Sequence, residues 1–112
     1  MREKVKAALD SVGIPVVHMA WKKGSAPKLP WIVYLEGDSN ATYADGGNYH
    51  DAAEFVVELY QDVPSEELEG KLEDAISGIA PWWREEEIWV ESEGCVLTTY
   101  HFVYRERKNN NG

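Results

Sequence analysis

Apolar residues recur with helical spacing in two segments of the chain. Residues 2–12 carry an apolar stripe at the i, i+3, i+4, i+7 positions, formed by Val5, Ala8, Leu9 and Val12. Gly13 is well placed to end this helix. A second helix is predicted to begin at Ser65, a favourable N-cap residue, and its stripe consists of Leu68, Leu72, Ala75, Ile76 and Ile79. Each helix must therefore bury one face against another element.

Alternating or continuous apolar runs predict five strands, at residues 14–20, 31–36, 51–61, 82–92 and 95–105. The last two are expected to form a hairpin that turns at Glu93-Gly94. Polar stretches rich in Gly, Pro and Asn predict loops at residues 22–30 and 37–50. The order is α-β-β-β-α-β-β, which predicts an α+β domain with two helices packed on a largely antiparallel sheet. We expect one domain over residues 1–105 and a flexible polar tail over 106–112.

Two adjacent tryptophans are the most unusual feature of the predicted strand at 82–92. Strand alternation places Trp82 and Trp83 on opposite faces, with Trp89 on the Trp83 face. A small sheet rarely buries both faces, so at least one indole belongs either to the core or to a protein interface. The sequence leaves both possibilities open.

Composition narrows the class of protein. The chain has 112 residues, of which 44% are hydrophobic, so it can form one genuine core. A net charge of −9 makes general binding to nucleic acid or to an anionic membrane an unfavourable interpretation. A single cysteine excludes an intrachain disulfide, and no apolar run reaches the length of a membrane helix. We expect a small soluble protein.

The charge is distributed unevenly. Residues 1–47 carry six basic and five acidic residues, residues 48–95 carry two and fourteen, and residues 96–112 carry three and one. Such an acidic segment is usually a solvated surface, although it can also be a surface for a basic partner.

No residue pattern indicates catalysis. Cys95 has no histidine close in sequence, since His101 lies six residues along the same predicted strand, and we expect the thiol to be buried. Gly46-Gly47 lacks the spacing of a phosphate-binding loop. Three acids, Asp51, Glu54 and Glu58, could supply oxygen ligands to a divalent ion, but the spacing of an EF-hand is missing. We therefore expect no catalytic residue, no metal, no cofactor and no enzymatic activity.

Several segments together resemble a known family. They are residues 13–18 (GIPVVH), Trp21 with the Lys- and Gly-containing loop after it, residues 26–34 (APKLPWIVY), residues 55–60 (FVVELY), the acidic helix behind Pro64, and residues 91–94 (ESEG). Over residues 5–104 the chain resembles small tail-completion proteins of long-tailed phages and prophages, often called minor capsid proteins or tail terminators. The Trp82-Trp83 pair and the Asn-rich tail have no place in that pattern.

The resemblance implies a structural virion protein without enzymatic activity, which closes the end of the tail tube as a ring, usually hexameric, and offers a surface to the head. The implied partners are further copies of the chain, the tail-tube protein and a head-completion or neck protein, with no membrane and no direct contact to nucleic acid. The implied location is the tail or neck of the virion, after assembly in the host cytoplasm. The family's long loop faces neighbouring subunits and corresponds here to residues 37–50, with Tyr43, Asn48, Tyr49 and His50.

Four other residues complete the predicted interface: Lys22, Lys23, Trp82 and Arg105. In a ring, the basic elements could face the acidic 48–95 segment of the next subunit. The alternative function is a small acidic module that binds a basic partner, for example as a mimic of nucleic acid.

Overall fold

The computed structural model describes residues 2–39 and 49–107. In these ranges two helices and six strands follow one another as α1 (Arg2–Asp10), β1 (Val16–His18), β2 (Trp31–Ser39), β3 (Tyr49–Gln61), α2 (Glu66–Ser77), β4 (Trp82–Arg84), β5 (Ile88–Val90) and β6 (Cys95–Arg107). The predicted α+β class is confirmed, including the helices packed on a mostly antiparallel sheet.

The strands form one sheet in the order β1-β2-β3-β6-β4, and β5 pairs with β6 beside β4. Only β1 runs parallel to its neighbour, with Val16 opposite Ile32, while every other pairing is antiparallel. A parallel pair needs a connection that returns along the strand, and residues 19–30 supply it. The terminal strands β1 and β4 have three residues each.

Both helices pack on the same face of the sheet, where alternate residues of the long strands are buried. In β6 these are Thr98, Tyr100, Phe102 and Tyr104, as the alternation predicts. The core also contains Val5, Leu9 and Val12 from α1, Ile32 and Tyr34 from β2, Phe55, Val57 and Leu59 from β3, and Leu72 and Ile76 from α2. Phe55 and Phe102 stack at its centre, with ring centroids 5.5 Å apart.

The N-terminus of α2 is fixed by two polar side chains. Ser65 is the N-cap, as predicted, and its Oγ accepts a hydrogen bond from the Leu68 amide at 3.2 Å. Gln61, which is buried at the end of β3, accepts from the Ser65 amide at 2.9 Å and donates to Glu69 at 3.0 Å. These contacts join the end of β3 to the first turn of α2.

The prediction of one strand over residues 82–92 is wrong, because Glu85–Glu87 separate β4 from β5. Trp83 lies opposite His101, whereas Trp89 lies opposite Val96. The pairing register with β6 therefore shifts by one residue between the two strands, and such a shift exchanges the faces. Trp89 consequently lies on the face opposite to Trp83, contrary to the predicted shared face.

The prediction of a loop over residues 37–50 is wrong at both ends. β2 continues to Ser39, which lies opposite Ala53, and β3 already begins at Tyr49, opposite Arg107. Pairing with neighbouring strands supplies hydrogen-bond partners there, and this outweighs the weak strand propensity of Gly and Asp. At Gly37 a Cβ atom would lie 3.3 Å from the Cβ of Glu54, so a side chain at this position would crowd β3.

Candidate functional site

The second face of the sheet is partly open to solvent. Its residues on β3 and β6 alternate with the core residues, and they include the half-exposed Val56, Leu97, Thr99, His101 and Val103. No helix of the described chain packs on this open face. A mixed apolar and polar sheet surface of this kind can contact another protein.

At one end of the open face, residues 19–30 fold over β2 and β3. Trp21 meets Trp31 edge to face, with ring centroids 6.0 Å apart, and Trp31 lies 5.9 Å from Tyr60. A groove of about 600 Å³ separates this loop from the β5–β6 turn, and its lining includes Met19, Lys22, Lys23, Glu58 and Glu93. The groove has an aromatic floor and carries charges of both signs.

Tyr60 is held in this groove by a carboxylate. Its hydroxyl donates to Glu58 Oε1 at 3.0 Å, and burial, together with the Glu58 charge, raises the pKa of the phenol. The Nε1 of Trp21 is buried and has no hydrogen-bond partner within the described residues. The rings of Trp21 and Tyr60 therefore contribute apolar surface to the lining of the groove.

At the other end of the open face, Trp83 lies flat on His101. The rings are 4.1 Å apart at 9°, and His101 Nε2 lies 2.5 Å from Glu85 Oε2. Trp83 is still 59% exposed, since the stacking covers one side of the indole only. A groove of about 320 Å³ adjoins this stack, and Glu54, Val56, Val103 and Arg105 also line it.

A polar cluster beneath β4 holds the strand against α2. Arg84 Nη1 lies 3.2 Å from Glu73 Oε2 and 3.4 Å from Glu69 Oε1. The Tyr100 hydroxyl donates to Glu73 Oε2 at 2.9 Å, and burial, followed by this hydrogen bond, raises the pKa of the phenol. These ion pairs and this hydrogen bond therefore fix β4 against α2 on the side opposite to its exposed surface.

The structure separates the residues of the predicted interface. Tyr43 and Asn48 lie outside the described residues, while Tyr49 and His50 are the first two residues of β3. Lys22 and Lys23 are exposed on the loop at one end of the open face, and Arg105 lines the groove at the other end. Their role in an interface stays a prediction.

Trp82, the remaining predicted interface residue, contributes to the core. It is half-buried, lies edge-on to Tyr100 at 5.5 Å, and donates from Nε1 to Ser77 Oγ at 2.7 Å. Its neighbour Trp83 is the exposed indole. The contact of Trp83 with His101 and Glu85 could not be predicted from sequence spacing, because strand pairing brings these residues together.

The Cys95 thiol and the potential metal ligands are the remaining candidates for reactive or metal-binding groups among the described residues. Cys95 is fully buried, as predicted, and burial raises the pKa of its thiol, which disfavours the reactive thiolate. Within residues 2–39 and 49–107, no group of three or more His, Cys, Asp or Glu side chains is placed to hold a metal ion. None of the helices in these ranges is long and apolar enough to cross a membrane.

Comparison with known proteins identifies a shared fold. No protein-family model and no curated protein sequence matches the chain. Among solved structures, a chain of the virion of a native gene transfer agent (GTA) particle superimposes with a TM-score of 0.51 at 13% identity. The match covers 96% of this chain and 91% of that chain. The two chains therefore have a similar fold over almost their whole lengths.

Proposed function

We propose that this protein is a structural component of a virion, which caps the end of a tail tube as a ring and offers the surface that joins the head. The observation that carries the proposal is the fold shared with a virion chain over 96% of the sequence. The resemblance of residues 5–104 to tail-completion proteins supports the finer assignment to the tail end.

The open face of the sheet supports a role in assembly. A subunit of a closed ring must contact two neighbours through two different surfaces, since the contact is head to tail. The described chain has two sheet edges and an uncovered sheet face, and it exposes indoles that are favoured as anchors of protein interfaces. The proposed partners are further copies of the chain, six in a ring, the tail-tube protein, and a head-completion or neck protein.

The proposal includes no enzymatic activity and no cofactor. The buried Cys95 and the binding character of the open face agree with a purely structural role. Its place of action is the tail or neck of the virion, which it joins in the host cytoplasm, without contact to membrane or nucleic acid.

The mass of the protein in solution tests this proposal. We expect sedimentation velocity to show one closed oligomer. The fraction of protein in this oligomer should increase with protein concentration, and it should increase further when tail-tube subunits are added. A protein that stays monomeric throughout, and binds neither tube subunits nor a neck protein, contradicts the proposal.

A second candidate function follows from the acidic segment 48–95. In this alternative, the chain is a small module that binds one basic partner as a monomer. Such binding must weaken as ionic strength rises, because salt screens exposed charges. A 1:1 complex with a basic protein, lost between low and high salt and formed without self-association, favours the alternative over the ring.

A further inference from the structure

The charges of the molecule are concentrated in two groups of elements. Residues 2–30 form α1, β1 and the 19–30 loop, and they carry six basic and two acidic residues. Residues 62–94 form α2, β4 and β5, and they carry two basic and eleven acidic residues. β1 and β4 are the terminal strands of the sheet, but the two groups also meet, because α1 packs on α2 and Lys22 and Lys23 share a groove with Glu93.

Each group is held in place by contacts of its own. On the basic side, α1 reaches β2 through Arg2, whose Nη2 lies 2.9 Å from Glu36 Oε1, and the loop packs Trp21 on Trp31. On the acidic side, α2 is joined to β4 by the Arg84 ion pairs.

The charges best suited for an intermolecular contact have no partner within the molecule. Among the described residues, the exposed Lys22 and Lys23 form no ion pair, and neither do Glu86 and Glu87 beyond β4. Exposed charges of opposite sign on two different surfaces of one molecule, the 19–30 loop and the segment beyond β4, favour head-to-tail contact between copies.

Exposed apolar side chains accompany both sets of charges. At the acidic edge Trp83, Ile88 and Trp89 are between 55% and 60% exposed, and at the basic side Met19 is 59% exposed. Apolar anchors surrounded by charged residues are the usual composition of a protein interface. The acidic edge is therefore more than a solvated charged surface.

We infer that the β4–β5 edge of one copy docks on the 19–30 loop of the next copy, with Glu86 and Glu87 facing Lys22 and Lys23 and with Trp83 and Ile88 as apolar anchors. This inference rests on the proposed function, and it names the two surfaces that the proposed ring requires. The occupant is a second copy of this chain, because the same chain exposes both the acidic pair, Glu86 and Glu87, and the complementary basic pair, Lys22 and Lys23. A contact between two different surfaces of the same molecule can close into a ring.

Charge reversal tests the docking directly. Glu86→Lys/Glu87→Lys makes the acidic edge basic, and Lys22→Glu/Lys23→Glu makes the loop acidic. We expect each double variant to weaken self-association at least tenfold, measured by sedimentation velocity at low salt. A chain that carries all four substitutions restores opposite charges across the contact and is expected to associate as the wild type does. An equimolar mixture of the two double variants is expected to assemble as well, because alternating copies again present opposite charges.

A matched control separates a local contact from a general change in net charge. Glu67→Lys/Asp74→Lys changes the charge by the same amount at two exposed positions of α2, and we expect near wild-type association. Circular dichroism is expected to show the native fold for every variant, since all substituted side chains are exposed.

Three results would overturn the inference, and they differ from a failure of the proposed function. If the wild type assembles but the reversals act no more strongly than the control, the contact lies elsewhere. The contact also lies elsewhere if the chain with all four substitutions does not regain the self-association of the wild type. If Glu86→Lys/Glu87→Lys abolishes binding of a tube or neck protein but leaves self-association intact, the acidic edge serves a different partner. A wild type that never assembles, alone or with tube subunits, contradicts the proposed function itself and the docking with it.

Discussion

The same strands form both faces of the sheet, but one face is buried under the helices and the other is partly exposed. Phe55 and Val57 face the helices and are buried, whereas Val56 and Glu58, between and beside them, face outward and stay partly exposed. The core face stacks Phe55 on Phe102 under two helices, and the open face exposes Trp83 stacked on His101. Alternation along a strand thus lets one segment provide both the stability of the fold and a surface free for partners.

The largest difference between the faces is expected at Phe55. Phe55→Ala removes a buried ring and leaves a cavity, so we expect a loss of about 3–5 kcal/mol in the free energy of unfolding. Val56→Ala at the neighbouring outward position should cost no more than about 1 kcal/mol. Urea unfolding followed by tryptophan fluorescence measures both. Equal losses would show that a partner or the chain itself covers the open face.

The adjacent tryptophans give the sharpest comparison. Trp82→Ala loses packing on Tyr100 and the hydrogen bond to Ser77, so we expect a loss of about 2–3 kcal/mol. Trp83→Ala removes an exposed indole and should change stability by about 1 kcal/mol at most, while it weakens self-association. Thermal unfolding and sedimentation together separate the two effects. If Trp82→Ala impairs association and leaves stability intact, the roles of the two residues are reversed.

The hydrogen bond beneath β4 makes a smaller contribution that depends on pH. Tyr100→Phe removes the bond to Glu73, and we expect a loss of about 1–2 kcal/mol at neutral pH. Because burial raises the pKa of Tyr100 above its ordinary value of 10.0, its stabilising effect is complete below pH 10 and is lost as the pH rises further. The difference between wild type and variant should therefore shrink above pH 10 in urea titrations. A difference that stays constant up to pH 11 would contradict this.

We expect the smallest effect at Ser65, the N-cap of α2, which lies on the helix side of the sheet. Ser65→Ala removes the acceptor for the Leu68 amide, and we expect a loss of about 1 kcal/mol. Ser92→Ala, at an exposed turn on the other side of the chain, serves as control and should change stability by less than about 0.5 kcal/mol. Chemical unfolding of the three proteins provides the comparison, and indistinguishable midpoints would exclude a role for the cap in stability.

Local periodicity was sufficient for much of the fold. The stripes of α1 and α2, the Ser65 cap, and the buried side of β6 follow from spacing within a few residues, and the structure confirms them. The strand order and the parallel position of β1 could not be obtained this way. They depend on pairings between residues far apart in sequence, which spacing does not encode.

The candidate site was less predictable than the fold. Alternation placed Trp82 and Trp83 on opposite faces correctly, but it failed for Trp89 because the register shifts by one residue between β4 and β5. The separation of charge along the sequence was visible from composition. Where the charged segments lie on the sheet could be seen only with the strand order.

Oxidative footprinting of the tryptophans tests the central claim, that the open face and its edges are the assembly surface. Hydroxyl radicals modify exposed indoles, and mass spectrometry reports Trp82, Trp83 and Trp89 separately as the protein concentration rises. We expect Trp83 to lose reactivity in step with the appearance of the oligomer, while the half-buried Trp82 stays unchanged. An oligomer in which Trp83 remains as reactive as in the monomer would contradict the claim.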